Sequence, residues 1–162
     1  MRIRKPGPRA LFRTSYLVLL AVPLLTLAGC DSPFGVEGGD RERIRAQRAI
    51  WDAQQISDYT FESRRVCFCA FVGWLEVTVE ADTILTVLAI DDVEVPQSAI
   101  ADYPTIDELF DILTDAVDRD AVQIDVTWHE TMGYPTTFFI DYARNIADEE
   151  LGHDVRILTP AP

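Results

Sequence analysis

The sequence predicts an α+β fold: an antiparallel sheet of about five to six strands with two helices on one face. Three observations lead there. Two stretches carry apolar residues at three- and four-residue spacing, the mark of a helix with one buried side. Several short stretches alternate apolar and polar residues with period two, the mark of half-buried strands. Their order along the chain is α-β-β-β-α-β-β-β, and the connections are too short for parallel crossovers. The order suggests two halves, each a helix followed by a hairpin-rich run, although no residue-level repeat is visible.

The first helix is expected over residues 40–56, capped by Asp40. Its apolar stripe is Ala46, Ala49, Ile50, Ala53 and Ile56, with Trp51 at the edge. Arg41, Arg43, Arg45 and Arg48 crowd its early turns, where the helix dipole disfavours cations. Lipid headgroups or the domain's own acids could attract them. Strands follow at residues 59–64, 74–81 and 84–90, with Asp82-Thr83 as the turn between the last two. That turn lacks the glycine that tight hairpins favour. The second helix, residues 105–119, is the clearest element. Thr105-Ile106-Asp107-Glu108 reads as a capping box. Ile106, Leu109, Phe110, Leu113, Ala116 and Val117 form its apolar side, and Asp107, Asp111, Asp115 and Asp118 its acidic side. Three more strands are expected at 122–128, 136–142 and 154–158, with Met132-Gly133-Tyr134-Pro135 turning the chain between the first two.

Ahead of these elements lies a different kind of sequence. Arg2, Arg4, Lys5, Arg9 and Arg13 precede an apolar run over residues 17–25, and Leu27-Ala28-Gly29-Cys30 follows. A basic start, a short apolar run and small residues at a cut site describe a secretory signal peptide. The run is shorter than the roughly 20 residues a membrane span needs. Leu-Ala-Gly-Cys resembles the lipobox of bacterial lipoproteins. That resemblance implies cleavage before Cys30 and acylation of its thiol, for instance by palmitate. The expected organisation is therefore a signal peptide at 1–29, a lipidated cysteine and flexible tether at 30–39, and one α+β domain at 40–162. Such a protein would be anchored by lipid on the non-cytoplasmic side of a bacterial membrane, in the cell envelope. Asp31, next to the cysteine, resembles an inner-membrane retention signal, but inner and outer membranes are both left open.

Loss of the leader changes the charge balance. The whole chain carries 14 basic and 27 acidic residues, net −13; all the acids follow residue 29, so removing the five basic residues before it leaves −18. A surface this acidic repels nucleic acid and anionic lipid headgroups. Membrane contact is expected through the lipid anchor, and a protein or small-ligand partner is left undefined.

The domain also resembles a family. The features are Trp51 on the first helix, Tyr59-Thr60-Phe61, Cys67-Phe68-Cys69 and the run from Tyr103 to Phe110. Gly133-Tyr134-Pro135, Asp141 and Ala147-Asp148-Glu149-Glu150 complete them. In that order they are similar to an uncharacterised family of bacterial secreted and lipid-anchored proteins, a domain of unknown function. The resemblance implies a small α+β domain outside the cytoplasm and supplies no activity, cofactor or catalytic residue.

Three groups of residues could carry chemistry. Setting aside a lipidated Cys30, Cys67 and Cys69 form an even pair in an oxidising compartment, where a disulfide is allowed. On an extended strand their α-carbons would lie near the upper limit for a bridge, so a bend is required. The alternatives are a structural bridge, a soft-metal thiolate site and a redox pair. Asp141 with Asp148, Glu149 and Glu150 offers oxygen ligands for a calcium-like metal, or caps for backbone amides. Phe71, Trp74 and Tyr134 are candidates for a binding patch. Neither histidine, His129 or His153, has zinc-enzyme spacing, and both are expected as exposed strand-end residues. No G-x-S-x-G, P-loop or G-x-G-x-x-G motif occurs. The reading is a non-enzymatic binding module near the membrane, with no catalytic residue and no cofactor. A metal-binding or thiol-redox protein using Cys67 and Cys69 is the alternative.

Overall fold

Alternation of buried and exposed residues runs through the strands as the sequence pattern requires. A computed structural model describes residues 36–69, 71–90, 95–96, 103–146 and 148–161. Cys30, the predicted signal peptide and most of the predicted tether lie outside the described residues. The chain order is α1 (Val36–Asp52), β1 (Tyr59–Val66), β2 (Leu75–Glu80), β3 (Thr83–Ala89), α2 (Ile106–Asp118), β4 (Gln123–Trp128), β5 (Pro135–Asp141) and β6 (Leu151–Pro160). The fold is α+β, with one antiparallel sheet of six strands in the order β3-β2-β1-β6-β5-β4. The sheet therefore does not follow chain order. Each half is a three-stranded meander, and the two join where β1, the first strand, pairs with β6, the last.

The inner face carries Tyr59, Phe61 and Ser63 of β1 and Leu75, Val77 and Val79 of β2. Val155 of β6 and Phe138 and Ile140 of β5 complete it, all buried. Both helices meet this face. The Tyr59 hydroxyl accepts a hydrogen bond from the Ile106 amide at the start of α2 (3.1 Å). Trp51 of α1 meets the Tyr59 ring edge-on, 5.5 Å between centroids.

α2 follows from its sequence closely. The Thr105 side chain accepts from the Glu108 amide, and Glu108 reaches back to the Thr105 amide, so two otherwise orphaned N–H groups are satisfied. The six expected apolar residues are the buried ones.

α1 departs from expectation in two ways. It begins at Val36, so Asp40 lies inside the helix instead of capping it, and Val36–Gly39 are helix where coil was expected. Among the residues of α1 whose burial is described, Ile44 and Trp51 are buried, while Ala46, Ala49 and, just past the helix end, Ala53 are exposed and Ile50 is 38% exposed. The reason lies in what α1 packs against. Arg41 pairs with Asp118 at 2.7 Å, and Arg48 pairs with Asp111 and with Asp107. Early α1 faces late α2 and later α1 faces early α2, so the helices run antiparallel with arginines against the acidic side. Trp51, far larger than any alanine, gains most from burial and fixes the helix rotation. Exposed pairs of this kind contribute about 0–1 kcal/mol each; they orient the helix more than they hold it.

The β2–β3 hairpin turns at Ala81-Asp82, one residue before the expected Asp82-Thr83. Glu80 and Thr83 face each other across it, and both turn residues have positive φ, 47° and 58°. This is the mirror-image turn that hairpins favour, made without glycine. The Asp58 carboxylate accepts the Ala81 amide (2.7 Å), and the Ser57 carbonyl accepts the Asp82 amide (3.1 Å). Those bonds hold the turn where the side chains do not favour it. Asp82→Gly is expected to stabilise the domain by about 1 kcal/mol, read as a higher urea midpoint; an unchanged or lower midpoint would contradict the turn geometry.

Register shifts interrupt the sheet at three places, one of them between Thr127 and Trp128 of β4, which leaves Thr136 of β5 as an extra residue. Between Thr60 and Glu62 of β1 the register with β6 shifts, leaving Ile157 as an extra residue with φ 54°. Between Thr78 and Val79 of β2 the register with β3 shifts, leaving Leu85 extra. Of the extra residues, Ile157 is 63% and Leu85 58% exposed, and Thr136 is half-buried.

Candidate functional site

β1 ends at Val66, and the chain bends at once through Cys67, Phe68 and Cys69. The two cysteines are joined by a disulfide, with their α-carbons 5.3 Å apart. On an extended strand residues two apart would lie about 6.6 Å from each other. The bend supplies the closer approach that the spacing demands. A ring closed over three residues points its middle side chain outward, and Phe68 is 86% exposed. Val66 before it and Val72 after it are exposed as well. The result is an apolar tip held by a covalent staple.

The expected patch of Phe71, Trp74 and Tyr134 does not form one surface. Phe71 turns inward and packs against the core. Trp74 turns to the outer face of the sheet, where the Arg64 and Arg156 guanidiniums lie 4.9 and 3.9 Å from its ring centroid. Those arginines are paired in turn with Asp154 (2.7 Å) and Glu62. Tyr134 is buried on the inner side, stacked on His129 at 4.7 Å and edge-on to Trp51 at 6.1 Å. The exposed aromatic of this region is Phe68. Its position between two cysteines was the signal for it.

Of the four carboxylates expected as metal ligands, Asp141 at the end of β5 and Glu150 act on the backbone, while Glu149 Oε1 is buried without a hydrogen-bond partner. Asp141 accepts the Ala143 amide (2.9 Å), and Glu150 accepts the Asp148 amide (3.0 Å), which supports the positive φ of Asp148. Among the described residues, no group of three or more histidine, cysteine, aspartate or glutamate side chains is arranged to hold a metal ion. The histidines also have local roles. His129 Nδ1 accepts the Met132 amide (3.2 Å) and so shapes the β4–β5 turn. His153, expected at an exposed strand end, is 2% exposed, because β6 starts three residues earlier than the predicted strand and carries it into the core.

A cleft of about 570 Å³ opens between the end of α1, the β2–β3 turn and the start of α2. Arg48, Trp51, Gln55, Ile56, Asp82 and Asp107 line it. Burial raises the Asp107 carboxyl above the ordinary range, with a hydrogen bond from Trp51 and the charge of Arg48 opposing and Asp82 and Asp52 adding to the rise. Three separate segments build this cleft, so no local motif announces it.

A family model described as "Family of unknown function (DUF6174)" matches residues 43–160. The chain belongs to this family. The matched span takes in the DUF6174 domain's six strands, α2 and most of α1, with the stapled tip inside it. Neither a curated protein nor a solved structure matches the chain.

Proposed function

We propose that this protein is a non-enzymatic interaction module of the bacterial cell envelope, made with a signal peptide and lipidated on Cys30. The lipid tethers it to the non-cytoplasmic side of a membrane, and the DUF6174 domain engages a partner through the tip at Phe68. The basic leader, the short apolar run and Leu-Ala-Gly-Cys support the anchoring. One observation carries the binding: Phe68 is 86% exposed and held in place by the Cys67–Cys69 bridge. A large apolar ring fixed in water gains by burial against a partner, and a pre-ordered loop gives up little entropy when it docks.

A photo-crosslinking residue at position 68 of the full chain, expressed in cells, tests this. Defined adducts are expected from position 68, weakened in the Cys67→Ser/Cys69→Ser variant, and none from position 137 on the outer sheet face. Equal yields at both positions would sink the reading. An alkyne-bearing palmitate should label the chain and fail to label Cys30→Ala; labelling that survives would remove the anchor.

The exposed position of Cys69 favours a second reading, thiol–disulfide exchange or, once reduced, metal binding. In exchange, a partner dithiol becomes a disulfide and the Cys67–Cys69 bridge takes up its two electrons. Intact mass in mild reductant separates the readings: a gain of two hydrogens at a glutathione-like potential supports exchange, and a resistant bridge leaves the staple structural.

A further inference from the structure

Ser63, Tyr103 and His153 come together on the inner face of the sheet, where Arg65 and Ser63 of β1 lie opposite His153 and Val155 of β6. All three are buried: Ser63 at 0%, His153 at 2% and Tyr103 at 5% exposure. The His153 ring is tilted against Phe138 of β5, 5.4 Å between centroids, and meets Tyr103 edge-on at 6.0 Å. The Arg65 guanidinium lies 5.0 Å over the Tyr103 ring. The Tyr103 hydroxyl is turned toward Ser63. Neither hydroxyl has a hydrogen bond of normal geometry to the protein, and nor does His153 Nδ1. Tyr103 is thus held chiefly by ring packing, two residues before the cap of α2.

We propose that His153 is an acid-sensitive latch, which holds Tyr103 and the chain entering α2 against the sheet while neutral and releases them on taking up a proton. The surroundings argue for it. From β1 the imidazole faces the Arg65 cation and the Ser63 hydroxyl. From the approach to α2 it faces the Tyr103 ring, and from β5 the Phe138 ring. The neighbouring carboxylate, Asp154, is on the opposite face of β6, paired with Arg64. A proton on His153 would place a second cation beside Arg65 in a site closed to water, with no carboxylate among the described residues on the same face of β6 beside it. Burial first and Arg65 second push the imidazole down to about 3, against a weaker upward pull from Asp154.

The sign of the effect follows. An opened His153 returns to its ordinary value of about 6.5. The closed state takes up fewer protons, so the latch is fully held above about pH 6.5 and weakens as pH falls toward about 3. The opening equilibrium grows up to about tenfold per pH unit in that window. α2 keeps its buried residues from Leu109 to Val117, so the release is confined to the approach and the cap, Tyr103 to Ile106.

Amide exchange on the full chain tests the proposal, expressed as protection factors so that intrinsic rates cancel. Tyr103, Thr105 and Ile106 report the latch, and Phe138 and Ile140 report the sheet. Between pH 6.5 and 4.5 the first group should lose protection about tenfold per unit while the second holds. In His153→Gln, which does not titrate, that slope should vanish. Glu108, which accepts the Thr105 amide, is present in both proteins and sets the shared background. Identical slopes in both proteins would overturn the latch, as would a loss shared equally by Phe138 and Ile140. If His153→Gln does not fold, NMR titration of the His153 ring in the wild-type chain decides: a value well below 6.5 supports the proposal and a value near 6.5 overturns it.

Discussion

Gly133→Ala is expected to destabilise the domain by about 2–4 kcal/mol. Two effects add. Gly133 has φ +78°, a conformation that costs an L-residue about 1 kcal/mol or more. A β-carbon built there would also lie 2.6 Å from the Gln47 carbonyl oxygen and 2.9 Å from Ile50 Cβ. These are atoms of α1 that no rotamer change can move aside, so the helix must shift, at the cost of about 1–3 kcal/mol typical of overpacking. Urea unfolding should show a lower midpoint with little change in slope. Gly39→Ala is the control. It is a helical glycine with nothing within 4 Å of the added carbon, and it should stabilise by about 0.5–1 kcal/mol. If both changes had the same sign, the close packing of the β4–β5 turn on α1 would be wrong.

Trp51→Ala should cost still more, about 3–5 kcal/mol. Trp51 is 3% exposed and meets Tyr59 and Tyr134 edge-on. Its indole N–H donates to Asp107 at 3.4 Å, linking α1 to the first turn of α2. Truncation opens a cavity where α1, α2 and β1 converge. Trp51→Phe separates packing from hydrogen bonding: it should recover most of the loss and leave Asp107 without its indole donor. An alanine variant within 1 kcal/mol of wild type, by calorimetry or urea melt, would mean that α1 is not anchored through this ring.

What the sequence could be read for divides along physical lines. α2 was legible because its cap, its apolar spacing and its acidic side all point the same way. The strands were legible because one sheet face is buried, which enforces alternation. α1 was misread because alanines at helical spacing mimic a buried stripe, whereas one tryptophan decides the rotation. The placing of β1 against β6 could not be read locally, since it joins residues about a hundred positions apart. For the candidate site, the bridge between Cys67 and Cys69 was open to sequence reasoning, and so was the need for a bend. The direction of each aromatic was not: Phe71 and Trp74 are three residues apart in an irregular stretch, where no period assigns a face. His153 was placed at a strand end because the predicted strand began at 154, and β6 begins at Leu151.

The bulges at Ile157 and Leu85 reset the reading frame of the pleat. Before Ile157, the odd-numbered residues of β6, His153 and Val155, point to the core; beyond it Leu158 does. In β3, Ile84 packs inward before Leu85, and Val87 and Ala89 do so after it. Each extra residue acts like a one-letter insertion in a two-letter code, shifting every later position to the other face. Two conspicuous surface aliphatics, Ile157 and Leu85, are thus punctuation in that code. A relative that lost the residue at either place would have to exchange its apolar and polar positions along the rest of that strand.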